Sequence, residues 1–164
     1  MKILAITPRI PEPLYDGGAV YIFDTLKALA MNGHDITLAS FRSNMHPQST
    51  EKLSGFCQIY SRPGNFKPYS FLTGIKSLFS PEPVTVHHRM NRKIMEEILD
   101  DINKSFDIIL LEGLHTAAFI DLVRNKFPDT KIILRESNVE FQLLASRAKD
   151  CTKFLKKIYL KHQI

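Results

Sequence analysis

Short apolar runs rich in β-branched residues alternate along this chain with stretches whose apolar positions recur every three or four residues. That alternation predicts strands interleaved with helices. Residues 2–7 form the first predicted strand. Pro8, Pro11 and Pro13 stiffen the loop after it, which ends in Asp16-Gly17-Gly18. Ala19, Ile22, Phe23, Leu26, Leu29 and Ala30 then make a helical stripe, and Asn32-Gly33 stops it, glycine suiting a left-handed C-terminal cap. Residues 36–41 give a second strand and 55–60 a short third one. A helix is predicted over 66–79, closed by Ser80-Pro81-Glu82-Pro83. Met90, Ile94, Ile98 and Ile102 recur every fourth residue with Met95 and Leu99 beside them, predicting a helix over 86–104. Residues 107–111 read as a buried strand. Glu112-Gly113-Leu114-His115 turns from it into a helix bearing Phe119, Leu122 and Val123, which Pro128-Asp129 ends. A strand over 131–135 follows, and from Ser137 the pattern is helical to the last residue, so the chain reads as the front part of a longer one.

This order implies a three-layer, Rossmann-like α/β domain whose mostly parallel sheet is covered on both faces, with right-handed crossovers. A ligand crevice then lies at the carboxyl ends of the strands. The loops that matter are 8–18, 112–115 and 136–138. The 164 residues fit one domain.

Composition adds little to the fold and more to the choice of partners. At 44% apolar and 24% charged residues, the chain is globular rather than disordered. The apolar stretch at residues 3–6 is too short for a signal peptide or a membrane span, so a cytoplasmic protein is expected. Cys57 and Cys151 show no C-x-x-C spacing and read as reduced thiols. His87-His88 has no third ligand at metal spacing, and no metal is expected. The net charge is +5, from 22 basic and 17 acidic residues, and Arg147, Lys149, Lys153, Lys156, Lys157 and Lys161 crowd the end of the chain. That tail reads as a solvated helix face, or as a contact to phosphates or an anionic membrane. Phe66, Tyr69, Phe71 and Phe79, with Lys67 and Lys76, read as a helix packed on the sheet or as one meeting a lipid. Nucleic acid is excluded as a partner, because no recognition motif accompanies the charge.

Several segments together carry a resemblance. They are Met1-Lys2-Ile3-Leu4, Thr7-Pro8-Arg9, Asp16-Gly17-Gly18, Leu26-Lys27-Ala28-Leu29-Ala30 and Asn32-Gly33-His34-Asp35-Ile36-Thr37, followed by residues 106–115 and 134–144. In these the chain resembles family 4 glycosyltransferases, retaining enzymes of the GT-B fold. The resemblance implies the N-terminal, acceptor-side half of such a fold, ahead of a C-terminal domain that grips the donor. It implies transfer from a nucleoside diphosphate sugar to a hydroxyl of a glycan or lipid-linked acceptor, with no cofactor beyond the donor itself. The half alone is expected to be inactive.

Candidate residues follow from both lines. Gly17 and Gly18 let backbone N–H groups approach an anion such as the donor diphosphate, or they serve a tight turn that needs positive φ. His115, at the mouth of the crevice, can donate to or accept from a sugar hydroxyl, and the resemblance makes it the catalytic candidate. Glu112 is a further candidate at the end of its strand. Arg9 can meet an anionic acceptor or simply face water. Arg135, Asn138 and Glu140 belong to the next strand end and its loop, although Ser137-x-x-Glu140 also reads as a capping box. Ser137 stands where many relatives carry histidine. His34 lies at the wrong end of the sheet. The rival reading is a non-catalytic nucleotide- or phosphate-binding module built on the same crevice.

Overall fold

The computed structural model describes residues 1–43, 48–64, 91–136 and 140–152. Strands β1 (Lys2–Thr7), β2 (Asp35–Ser43), β3 (Cys57–Gly64), β4 (Ile108–Glu112) and β5 (Lys131–Arg135) form one sheet in the order β3-β2-β1-β4-β5. Every pairing in it is parallel. Among the described residues the helices are α1 (Gly17–Met31), α2 (Arg92–Asp100), α3 (Ile120–Lys126) and α4 (Glu140–Asp150), with 3-10 turns at Leu53–Gly55 and Leu114–Phe119. The sheet is flanked by helices, the Rossmann-like three-layer arrangement expected.

The direction of each crossover decides its face. The steps from β1 to β2 and from β2 to β3 run the same way along the sheet, so right-handed connections put both on one side. There Phe23 and Leu26 of α1 and Leu53 of the 3-10 turn pack with Ile3, Ala5, Ile36 and Leu38. The step from β4 to β5 runs the other way and lands on the opposite face. Met95, Ile98 and Leu99 of α2, with Phe119 and Val123, pack there on Leu4, Ile6, Phe41 and Ile109. This two-sided burial explains why β1 is apolar at every position from Ile3 to Ile6 rather than at alternate ones. Each fully buried leucine or isoleucine contributes about 1.5–3 kcal/mol.

Element boundaries differ from the sequence reading where local chemistry intervenes. The first helix starts at Gly17, two residues early, because Asp16 caps it, its side chain accepting from the Ala19 N–H. Strand β3 runs on to Gly64 through Pro63, an edge position where a missing N–H is tolerated. The helix expected over 86–104 begins only at Arg92, since Asn91 is extended and caps it through the Ile94 N–H. The helix expected after β4 is present as α3 with Leu122 and Val123, but a 3-10 turn that holds Phe119 comes before it. Helix α4 stops at Asp150, and Cys151 and Thr152, both poor helix formers, lie beyond it in non-helical backbone. The predicted 66–79 helix, His87-His88 and the lysines from Lys153 on lie outside the described residues. No described helix is long and apolar enough to cross a membrane.

Candidate functional site

The strand order turns back at β1: β2 and β3 lie to one side of it, β4 and β5 to the other. Loops leaving the carboxyl ends of β1 and β4 therefore part to opposite faces, which opens a crevice between them. A cavity of about 150 Å³ sits there. Pro8 and Arg9 line it after β1, Gly18, Tyr21 and Ile22 line it from α1, Glu112 lines it from the end of β4, and Gly113, Leu114 and His115 line it after that strand. Arg135 and Glu136, at the end of β5, complete the wall. Arg9, Gly18, Glu112, His115 and Arg135, singled out in the sequence on separate grounds, thus share one cavity.

An ion pair stands in its wall. The Glu112 side chain is 2% exposed and faces Arg135, whose Nε donates to Glu112 Oε2 at 3.0 Å. Arg135 Nη2 stands 2.8 Å from Oε1, an ion contact outside hydrogen-bond geometry. Arg135 Nη1 donates to Thr25 Oγ1 at 2.7 Å, and the guanidinium lies over the Tyr21 ring, 4.1 Å from its centroid. Two strands and α1 therefore fix this one side chain. Burial raises the Glu112 carboxyl above its ordinary range, while the Arg135 hydrogen bond and charge pull it back.

On the other wall Arg9 is ion-paired with Asp16, the residue that caps α1. The Arg9 hydrogen bond, with that from the Ala19 N–H, holds the Asp16 carboxyl below its ordinary range. Gly17 and Gly18 form the first turn of α1, and neither has positive φ, so the tight-turn reading does not hold. A Cβ at Gly17 would meet nothing within 4 Å, and one at Gly18 only Asp16 Oδ1 at 3.4 Å. The fold itself requires glycine at neither position. At Gly18 the bare backbone leaves room at the cavity wall.

Positive φ falls instead on Gly113, at φ 84 and ψ 150, a region essentially closed to other residues. Its N–H donates to the Arg135 carbonyl at 2.8 Å, and its carbonyl accepts from the Thr116 N–H at 3.0 Å. This sharp corner delivers His115 to the cavity. His115 Nδ1 is buried and finds no hydrogen-bond partner among the described residues. Gly113 was visible in the sequence as a glycine between strand and turn, but nothing there marked its backbone as special.

The proline-rich loop is held by a residue that no motif announced. Glu12, 5% exposed, accepts from the N–H groups of Lys52 and Leu53 with its two carboxylate oxygens, each at 3.2 Å. The Ser49 N–H donates to its carbonyl, and the Ile10 N–H donates to that of Phe41, both at 3.2 Å. Thr7 Oγ1 donates to the Arg9 carbonyl at 2.9 Å from a fully buried position. Loop 8–16 is thereby stitched to β2 and to the 3-10 turn before β3. His34 lies near the terminal amine of Met1, at the opposite end of the sheet, as expected.

Asn138 lies outside the described residues, as does Ser137 of the capping box. Of Glu140, only its place at the start of α4 is described. Among the described residues, no group of three histidine, cysteine, aspartate or glutamate side chains is placed to hold a metal ion. Burial, with the nearby Glu12 charge, pushes the Cys57 thiol up to about 12, which favours its protonated form at neutral pH. Compared with known protein families and with curated proteins, the chain matches none.

Proposed function

We propose that this domain is the acceptor side of a retaining glycosyltransferase that moves a sugar from a nucleoside diphosphate sugar to an acceptor hydroxyl. One observation carries the reading. Pro8-Arg9 with Gly18, residues 112–115, and Arg135 are far apart in sequence, each belongs to a segment that resembles the family, and all converge on a single cavity.

The proposed roles follow from the geometry. Gly18 leaves space for substrate to come close to the start of α1. His115 lines the cavity, where its imidazole would hydrogen-bond a sugar hydroxyl. Arg135, held by Glu112, Thr25 and Tyr21, keeps the cavity wall in place. Stabilisation of the leaving diphosphate and exclusion of water are left to a second, donor-gripping domain. On this reading the enzyme works in the cytoplasm, on a glycan or lipid-linked acceptor.

The test uses the native gene product. It is incubated with a panel of nucleoside diphosphate sugars and hydroxyl acceptors, following nucleoside diphosphate release and the anomeric configuration of the product. One donor should give a product with retained configuration. Nucleotide binding without release from any donor would replace this reading by that of a nucleotide- or phosphate-binding module.

A further inference from the structure

The two edges of the sheet are built differently. At one edge β3 carries Gln58, Ser61, Arg62 and Pro63, polar residues and a proline of the kind that keep an edge strand from pairing further. At the other, β5 places Ile132, Ile133 and Leu134 in a row, with neither proline nor charge between them. Such a run belongs to a parallel strand covered on both faces. Yet Ile133 is 47% exposed and Leu134 43%. They point to opposite faces. Leu134 shares the face of Ile132, which packs on the cluster of Met95 and Val123, and Ile133 shares that of Arg135, which reaches α1.

The backbone shows what the outer edge of β5 offers. The Arg135 carbonyl accepts from the Gly113 N–H, so Arg135 bonds toward β4. In a parallel ladder the N–H and C=O of one residue point to the same neighbour, and the next residue points the other way. Ile133 therefore bonds toward β4 as well, while Ile132 and Leu134 turn both polar groups outward. Among the described residues no strand pairs with β5 on that side.

Connectivity says what can. β5 leads into α4, and a strand followed by a helix closes by a right-handed return to a neighbouring place in the sheet. The inner place beside β5 is taken by β4, which leaves the outer edge. α4 ends at Asp150, and residues 153–164 follow, enough chain for a strand as long as β5. They include Phe154, Ile158 and Tyr159, types that suit strands. Lys153, Lys156, Lys157 and Lys161 lie among these, and lysine is what an outermost strand carries against further pairing.

We propose that the chain after Thr152 adds to the outer edge of β5 as a sixth parallel strand. Its carboxyl end then stands beside Arg135 and Glu136, which line the cavity, so the added strand borders the crevice. The proposal does not depend on what the domain transfers.

The test is NMR of the isotopically labelled native gene product, reading hydrogen exchange and interstrand NOEs at Ile132 and Leu134. Both amides should exchange at least about a hundredfold more slowly than those of an open chain. Their NOEs should run in parallel register to residues after Thr152. Exchange at the open-chain rate overturns the proposal, because the edge is then free. So do NOEs to residues 65–90, which make an internal segment the neighbour, and protection that disappears on dilution, which makes it a second copy. Protection without any NOE to the chain after Thr152 overturns it equally.

Discussion

Glu112 and Arg135 are register partners on adjacent parallel strands, and their side chains close on each other at the carboxyl ends of β4 and β5. The pair stands at the back of the cavity and joins the sheet to α1 through Thr25 and Tyr21. Removing the guanidinium leaves a buried carboxylate alone. In Arg135→Met the folded-state pKa of Glu112 should therefore climb further above its ordinary value of 4.5. A carboxyl raised in the folded state gives a contribution that is present below its unfolded pKa and lost as pH rises through the folded one. The variant should match the native protein near pH 4 and fall behind by about 3 kcal/mol toward pH 8. Urea denaturation at the two pH values checks this, and a deficit independent of pH would contradict it.

Asp16 shows the opposite sign. Its carboxyl is lowered by Arg9 and by the backbone N–H of Ala19, so its contribution is present above 3.8 and lost as pH falls through the depressed value. Asp16→Ala should cost about 1 kcal/mol, chiefly the lost cap of α1. In thermal denaturation that corresponds to a fall of roughly 2–4 °C. The gap between variant and native protein should narrow below pH 3.

Three glycines separate structure from function. Gly113→Ala should destabilise by about 1–3 kcal/mol, because its φ of 84 and ψ of 150 suit no other residue. Gly17→Ala meets no neighbour in helical backbone and should stabilise by up to about 1 kcal/mol. Gly18→Ala should be close to neutral for folding yet weaken ligand binding, since the added methyl stands at the cavity wall. Thermal melting beside titration with the panel of nucleoside diphosphate sugars reads both quantities. Unimpaired binding in Gly18→Ala would remove that glycine from the site.

Glu12 is expected to govern the loop that carries Arg9. Glu12→Ala removes an acceptor from two backbone N–H groups and should cost about 2–3 kcal/mol. Hydrogen exchange should accelerate at the Lys52 and Leu53 amides before it does in β1. Equal acceleration throughout the sheet would show that Glu12 supports the whole fold rather than the loop.

What the sequence disclosed follows from how local each signal is. β1 and β5 were legible because their apolar runs end at sharp punctuation, Pro8 in one case and Glu136-Ser137 in the other. The far end of β3 was not, since Ser61-Arg62-Pro63 resembles a loop and pairs as a strand only because β2 offers its edge. The fourfold spacing from Met90 to Ile102 overshot α2, because periodicity cannot see Asn91 capping the chain. In the site, strand order alone located the loops that line the cavity. The partners lay beyond sequence reasoning: Glu12 meets Lys52 forty residues away, and Arg135 reaches Thr25 across the sheet.

The sharpest test of sugar transfer at this cavity is loss of the His115 imidazole. Nucleoside diphosphate release by the native gene product is compared with that of its His115→Ala variant on the donor that supports transfer. Release by the variant should fall about a hundredfold with folding intact, the size expected when one preorganised hydrogen-bonding group is lost. Release from no donor, or release that the variant leaves unchanged, would contradict transfer at this cavity.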